Sequence, residues 1–362
     1  MTSNPHGRAA RLSVSSVIVA ALALTGCSGG HTKRAVPPAR SEAATPVATQ
    51  RPLPIPRLSV YPALRPPGTP KFIVAATAPV AVFDPPSAKD ATSYIPAHAV
   101  VLDAETGRVL HTITTPPGVF SSWSVVAAAP DDRTFVIGGT TGPGAGFTFY
   151  TVRLDDQGRP GTARKVLAPM PAAGPHSPDG ELVGALSPDG RRLAFTSMAT
   201  GGLVVVDIVT HVGHTWAGHG THITDLSWAK DGRSLWLWTG QTLKTLDTTR
   251  PDTELAPALR PVANLPDAFD AVVTPDDRAV IVFTGSRIER RSLDGGPAQT
   301  LARLRSAADG LGGLTLDGSG RFALYTQGWR IHRVDLATGR TASFAVPAGK
   351  RQGKGDAPGA AW

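Results

Sequence analysis

The stretch from Pro188 to Thr210, PDGRRLAFTSMATGGLVVVDIVT, decides the fold of this chain. It opens on the turn Pro188-Asp189-Gly190-Arg191 and continues through the apolar run Leu193–Thr196. A second apolar run then leads into another turn, Asp207 to Thr210. Asp-Gly is a favoured hairpin connection because it accepts positive φ. Short apolar runs between such turns predict antiparallel β-strands, and the runs are apolar on both faces, so these strands are expected to be covered on both sides.

Both turns recur along the chain at similar intervals. Turns of the first kind close on arginines that are 58, 42, 45 and 43 residues apart: Arg133, Arg191, Arg233, Arg278 and Arg321. Turns of the second kind open on aspartates that are 52, 52, 40, 47 and 41 residues apart: Asp103, Asp155, Asp207, Asp247, Asp294 and Asp335. Two hairpin turns in roughly 42 residues mean four antiparallel strands per unit, which is the geometry of a propeller blade.

Composition excludes several other classes of protein. The chain has 362 residues, of which 39 are Gly and 33 are Pro, and only 18% are charged. A coiled coil or helical bundle would be poor in Pro and rich in Ala, Glu, Lys and Leu. The single cysteine excludes a disulfide scaffold and any metal site built from several cysteines.

The Ser-Pro-Asp-Gly-Arg and Asp-x-x-Thr-Gly-Arg turns resemble those of WD-repeat-like bacterial β-propellers. The single repeat most similar to that family runs from His219 to Asp247, although Leu246-Asp247 stands where the eukaryotic pattern has Trp-Asp. The resemblance covers residues 71–362 and implies an all-β propeller of four-stranded blades.

Blade number follows from counting turns. There are six turns of the second kind and five of the first, because the unit that starts at Phe72 lacks a first strand. The segment Ala360-Ala361-Trp362 is similar to a first strand, so we expect it to complete that unit and remove two open sheet edges. This predicts six blades closed by the C-terminal strand. Seven blades would follow if the surplus turn Ser177-Pro178-Asp179-Gly180 marked a further unit.

The N-terminal region has the features of an export signal. Arg8 and Arg11 precede an apolar run that ends in Leu24-Thr25-Gly26-Cys27. This tetrad resembles a bacterial lipobox, which implies a diacylglyceryl thioether on Cys27 and cleavage just before it. Two acyl chains suffice for stable anchoring. The alternatives are an ordinary signal peptide with a coincidental cysteine, or a short anchor that is never cleaved.

Three segments result: a lipoprotein signal peptide over residues 1–26, a lipidated N-terminus with a Pro-rich tether over 27–70, and the propeller over 71–362. Ten prolines lie within residues 28–70, as in a semi-stiff extended linker. The formal charge is +8, yet residues 72–362 hold 27 basic and 27 acidic side chains. The basic excess therefore lies on the leader and tether, and we expect no binding to nucleic acid.

Several residue clusters are candidates for chemistry. His211, His214, His219 and His222 lie close enough in sequence to suggest Zn or Cu, but their places in hairpins favour a structural role. Paired aspartates occur at positions 131–132, 155–156 and 276–277, within the recurring turns, where Asp caps backbone amides. Arg290-Arg291 is expected to be solvated. No catalytic, cofactor-binding or metal-binding residue is assigned, and no cofactor is expected.

These observations favour a binding or protein-interaction module held at the outer face of the cytoplasmic membrane by a lipid on Cys27. A protein or small-molecule partner is expected on a propeller face, where the Asp84–Pro96 and Gly142–Gly146 loops are the long insertions. The alternative function is an extracytoplasmic propeller enzyme of the hydrolase or lactonase type. That alternative requires carboxylates, histidines or a metal converging on the central channel.

Overall fold

A computed structural model describes most of the body of the chain. The described residues are 68–76, 99–114, 123–140, 147–166, 182–197, 201–218, 221–250, 254–304, 311–327, 330–345 and 360–362. All of them belong to one compact unit, Val60–Trp362. The predicted signal peptide, the lipobox Leu24-Thr25-Gly26 with Cys27, and most of the tether lie outside the described residues. Within the described part, no helix is long and apolar enough to cross a membrane.

Within the described residues, twenty-four strands form six four-stranded antiparallel sheets, with one short helix, α1 (Leu255–Ala258). Blade 1 contains β24 (Ala360–Ala361), β1 (Phe72–Ala76), β2 (Ala99–Asp103) and β3 (Val109–Ile113). Blade 2 contains β4 (Trp123–Ala128), β5 (Thr134–Thr140), β6 (Phe147–Arg153) and β7 (Arg164–Val166). Blade 3 contains β8 (Leu182–Leu186), β9 (Arg192–Ser197), β10 (Leu203–Asp207) and β11 (Gly213–Trp216).

The other three blades repeat this order of strands. Blade 4 contains β12 (Asp225–Trp228), β13 (Ser234–Trp238), β14 (Thr242–Asp247) and β15 (Arg260–Asn264). Blade 5 contains β16 (Asp270–Val273), β17 (Ala279–Thr284), β18 (Arg287–Ser292) and β19 (Gln299–Arg303). Blade 6 contains β20 (Leu311–Leu316), β21 (Phe322–Gln327), β22 (Arg330–Asp335) and β23 (Thr341–Ala345).

The innermost strands β24, β4, β8, β12, β16 and β20 contact one another in a closed ring. The chain is therefore a six-bladed β-propeller, as the turn count predicts. The surplus turn at Ser177 lies outside the described residues. Because β4 and β8 contact each other directly, a seventh blade has no place between blades 2 and 3.

The C-terminal strand closes the ring as predicted. β24 pairs antiparallel with β1, with Ala361 opposite Val74 and Ala360 opposite Ala75. The next residue, Trp362, is only 3% exposed, and its ring lies 6.0 Å from that of Phe322 in blade 6. Blade 1 is thus built from two segments that are far apart in the sequence.

The hydrophobic core lies between the blades. All six residues of β17 are buried, so this second strand of its blade is covered on both faces. The side chains on each face pack against the adjoining blade: Val280 and Val282 lie with Trp238 of blade 4, whereas Phe283 lies with Tyr325 of blade 6. Burial of apolar area at these joints is the main stabilising force of the ring.

The recurring turns owe their shape to aspartate caps. In the first kind, Asp131 Oδ1 accepts hydrogen bonds from the amides of Arg133 (3.0 Å) and Thr134 (2.8 Å). In the second kind, Asp103 Oδ1 accepts from the amide of Thr106 at 2.7 Å. Asp155 and Asp276 accept amide hydrogen bonds in the same way. The interpretation as turn caps is confirmed for the first aspartate of each predicted pair.

Candidate functional site

The two ends of the ring differ in their construction. Every turn of the first kind joins the first and second strands of a blade, and every turn of the second kind joins the third and fourth. Alternate hairpins of an antiparallel sheet lie at the same end, so both kinds share one end of the ring, which we call the turn face. The first strands begin at the opposite end, which we call the loop face.

On the turn face, aspartates of one turn pair with arginines of its neighbour. Arg191 Nη2 lies 3.3 Å from Asp207 Oδ2 in blade 3, and Arg321 Nη2 lies 2.9 Å from Asp335 Oδ2 in blade 6. Hydrogen bonding to Arg321 lowers the pKa of Asp335. In blades 3 and 6 these ion pairs join the two turns of the blade.

Two aspartates with positive φ link neighbouring blades. Asp132 (φ 54°) and Asp277 (φ 60°) occupy the turn position that glycine holds in blades 3, 4 and 6. The Asp277 carboxylate accepts hydrogen bonds from the Lys230 amide (2.8 Å) and from Trp236 Nε1 (3.0 Å) in blade 4. Asp132 accepts from the amide of Lys71 in blade 1, and burial raises the pKa of Asp132 to about 7.

A cleft of about 780 Å³ opens on the turn face over blade 1, between blades 6 and 2. Its lining includes Thr69 and Pro70, the residues through which the chain enters the body. Phe72, Leu110 and Phe322 also line it. The charged lining residues are Lys71, Asp103, Glu105, Asp156, Arg321, Arg333, Asp335 and Arg340.

At the loop face, two carboxylates occupy equivalent positions on neighbouring innermost strands. Asp225 opens β12 and Asp270 opens β16, and these two strands contact each other. Asp270 accepts hydrogen bonds from the amides of Ala271 and Leu314, both at 2.8 Å, so it also links blade 5 to blade 6. Asp225 accepts from the Leu226 amide at 2.7 Å.

The surroundings of Asp225 favour its protonated form. Burial raises the pKa of Asp225 well above its ordinary value, and the neighbouring charge of Asp270 raises it further. Asp225 therefore holds a proton to a higher pH than an exposed aspartate does.

Phe269, next to Asp270 in the sequence, is the most exposed large apolar side chain of the described residues, at 70%. Its amide donates to the Phe283 carbonyl at 2.8 Å. Two residues before it, Asp267 receives two hydrogen bonds from the guanidinium of Arg291, at 2.9 and 2.7 Å. The aromatic ring is therefore exposed on a segment whose backbone is held on both sides.

The expectation that Arg290-Arg291 is solvated is wrong for Arg291. Besides Asp267, Arg291 Nη2 contacts Glu289 Oε2 at 2.8 Å, and Glu289 is itself buried. Arg290 points to the other face of β18 and is exposed. The two arginines have different surroundings because successive side chains of a strand point to opposite faces of the sheet.

The other predicted candidates are not brought together. His211 lies in the second-kind turn of blade 3 with φ 59°, and His214 packs 6.3 Å from Trp216. His222 is exposed, and His219 lies outside the described residues. Among the described residues, no three His, Cys, Asp or Glu side chains are grouped to hold a metal. The Asp84–Pro96 and Gly142–Gly146 loops also lie outside the described residues.

Asp225 and Asp270 are the site residues that sequence reasoning missed. Both stand five positions before the residue that opens the first-kind turn of their blade, Lys230 and Pro275. Superimposing the repeats by their turns would have placed them at one position on successive first strands. Their shared position was the signal.

Comparison with known proteins finds similarity among solved structures. No protein-family model matches it, and no curated protein matches it. Among solved structures, TolB from Acinetobacter baumannii is similar, with a TM-score of 0.49 and 13% sequence identity. The match covers 80% of this chain and 66% of that one, so it spans just under two thirds of the TolB chain.

Proposed function

We propose that this protein is a membrane-tethered extracytoplasmic lipoprotein whose β-propeller is a protein-interaction module. The proposed anchor is a lipid on Cys27, and the proposed location is the outer face of the cytoplasmic membrane. The resemblance of Leu24-Thr25-Gly26-Cys27 to a lipobox supports the anchor. The ten prolines within residues 28–70 are consistent with a spacer between membrane and ring.

The observation that supports the binding role is Phe269. An apolar ring that is 70% exposed gains free energy when a partner covers it. Because its backbone is held by Phe283 and by the Asp267–Arg291 pair, the ring loses little conformational freedom on binding. Pre-organised aromatic side chains of this kind are frequent hot spots of protein interfaces.

The binding role is tested by cross-linking the full-length chain in the cell envelope and identifying its cross-linked partner. Phe269→Ser should reduce the affinity for that partner by at least about 10-fold, since a hot-spot side chain contributes about 2 kcal/mol or more. Val262→Ser is the matched control, because Val262 is 42% exposed on the outermost strand of blade 4. Equal binding by both variants would contradict a partner at the loop face.

The anchor is tested separately by Cys27→Ser. We expect the variant to be released from membranes or to remain unprocessed. Fractionation and gel migration identical to those of the wild type would show that the lipoprotein hypothesis is wrong.

A second candidate function, an extracytoplasmic hydrolase or lactonase, is favoured by the Asp225–Asp270 pair. It brings two carboxylates together at the starts of neighbouring innermost strands, and such an enzyme requires converging carboxylates. Elemental analysis of the purified protein distinguishes the two functions. Stoichiometric Ca²⁺ or Zn²⁺ that is lost in Asp225→Asn would support the enzyme.

A further inference from the structure

We propose that the cleft over blade 1 binds a small organic anion with two or more carboxylate or phosphate groups. This site is on the turn face and is independent of the partner proposed for the loop face. Its volume, about 780 Å³, lies within the usual range of about 300–1,000 Å³ for ligand pockets. Its walls come from three blades, so the packing of the ring fixes its shape.

Most of the acidic groups in the cleft are already committed to other contacts. Asp103 accepts three hydrogen bonds from its own turn, through the amides of Glu105 and Thr106 and the Thr106 hydroxyl. Asp335 is paired with Arg321 at 2.9 Å. Asp156 lies 3.3 Å from the guanidinium of Arg133, which is outside the cleft lining. Asp335 therefore neutralises Arg321, and Asp156 faces an arginine from outside the lining, whereas Asp103 keeps its negative charge within the cleft.

Three of the cations have no acidic partner. In the part of the chain that the structure describes, the side chains of Lys71 and Arg340 make neither an ion pair nor a hydrogen bond. Arg333 donates only to the Ala104 carbonyl, at 2.8 Å, and its guanidinium stacks 4.3 Å from the Phe322 ring centroid. Among the described residues, the Glu105 carboxylate makes neither an ion pair nor a hydrogen bond.

Once the ion pairs of Asp335 and Asp156 are set aside, three cations, Lys71, Arg333 and Arg340, face two carboxylates, Asp103 and Glu105. The cleft therefore keeps a positive excess of one charge. Guanidinium groups bind carboxylate and phosphate oxygens through two parallel hydrogen bonds. Phe72 and Leu110 supply apolar wall beside these cations. A compact anion with several acidic groups and a carbon skeleton fits this combination better than a neutral or cationic ligand.

The proposal is tested by isothermal titration of the full-length chain with citrate and with pyrophosphate. We expect binding of at least one of them at a single site, with an affinity that falls as NaCl is added. Lys71→Gln and Arg340→Gln should each weaken binding about 2- to 5-fold, as expected for one exposed ionic contact. Glu105→Gln should strengthen it by a similar factor. These side chains are exposed, so the variants are expected to fold normally.

Arg278→Gln is the matched control, because Arg278 is an exposed arginine of a first-kind turn outside the cleft. It should leave the affinity unchanged, and so should Phe269→Ser. The proposal is overturned if neither anion binds at millimolar concentration, or if Arg278→Gln weakens binding as much as Arg340→Gln. Binding to phosphatidylglycerol vesicles without binding to either soluble anion would also overturn it, because the ligand would then be a lipid surface.

Discussion

Replacement of Trp362 by alanine tests whether the last strand holds the ring closed. Trp362 is 3% exposed and packs in one cluster with Ile73 of β1 and with Phe322 and Leu324 of blade 6. Loss of a buried aromatic side chain costs about 3–5 kcal/mol, a large part of the roughly 5–15 kcal/mol that keeps a domain folded. At about 2–3 °C per kcal/mol for a domain of this size, we expect the melting temperature to fall by about 6–15 °C.

Trp362→Phe is the matched control for this experiment. Within the described residues, Trp362 Nε1 is buried without a hydrogen-bond partner. Phenylalanine removes that N–H but keeps an aromatic ring, so its cost should stay below about 1.5 kcal/mol. Deletion of residues 360–362 should go further, because it leaves the edge of β1 unpaired and open to association with other chains.

Thermal unfolding followed by circular dichroism, together with size-exclusion chromatography, measures these effects. The expected order of stability is wild type, then Trp362→Phe, then Trp362→Ala, with the deletion least stable and prone to aggregate. If Trp362→Ala melts together with Trp362→Phe, or if the deletion stays monomeric and melts with the wild type, the last strand does not hold the ring together.

Two further changes test the joints between blades by chemical denaturation. Gly107→Ala should destabilise the protein by about 2–5 kcal/mol, because Gly107 has φ +70° and a Cβ there would lie 2.1 Å from Phe344 Cδ1. Gly295→Ala is the control and should cost only about 1–2 kcal/mol, since Gly295 also has positive φ but has nothing within 4 Å of its Cβ position. Equal losses of stability in the two variants would refute a tight contact at Gly107. Asp225→Asn should gain stability relative to the wild type as the pH rises from about 4 through the raised pKa of Asp225, because only the wild type must then ionise a buried carboxyl group beside Asp270. Parallel pH profiles of stability for the two proteins would show that Asp225 ionises as freely as an exposed aspartate.

The features that were predictable from the sequence are those that short segments specify. A turn such as Pro188-Asp189-Gly190-Arg191 contains its own aspartate cap and its own positive-φ residue. Such turns are therefore recognisable in the sequence, and the interval at which they recur gives the length of a blade. The closing strand was predictable because one unit lacked a first strand. Asp131 and Asp132 look alike in sequence, yet the first caps its own turn and the second reaches Lys71 in another blade.

Contacts between blades were not predictable in the same way. Asp225 and Asp270 become a pair only when two first strands, 45 residues apart, lie side by side. The cleft depends on Lys71, Glu105 and Arg340. Arg340 is more than 200 residues away from the other two in the sequence, yet the fold brings it to the same cleft. No short segment of the sequence specifies these contacts. The misassigned arginine, Arg291, is paired with Asp267 and with the buried Glu289, which also depends on the folded structure.

The position of β1 has a mechanical consequence for a protein held by its N-terminal segment. A pull that enters at Lys71 acts along β1, which pairs over five residues with β2 on one side and over two with β24 on the other. Loaded lengthwise in this way, the strand resists in shear, so its interstrand hydrogen bonds must break together and not one after another. The Asp132 carboxylate and the Ala104 amide, which bind the backbone of Lys71, add resistance at the point where the force arrives. Tension on the proposed tether would therefore be opposed by the pairing of β1 and by these two hydrogen bonds.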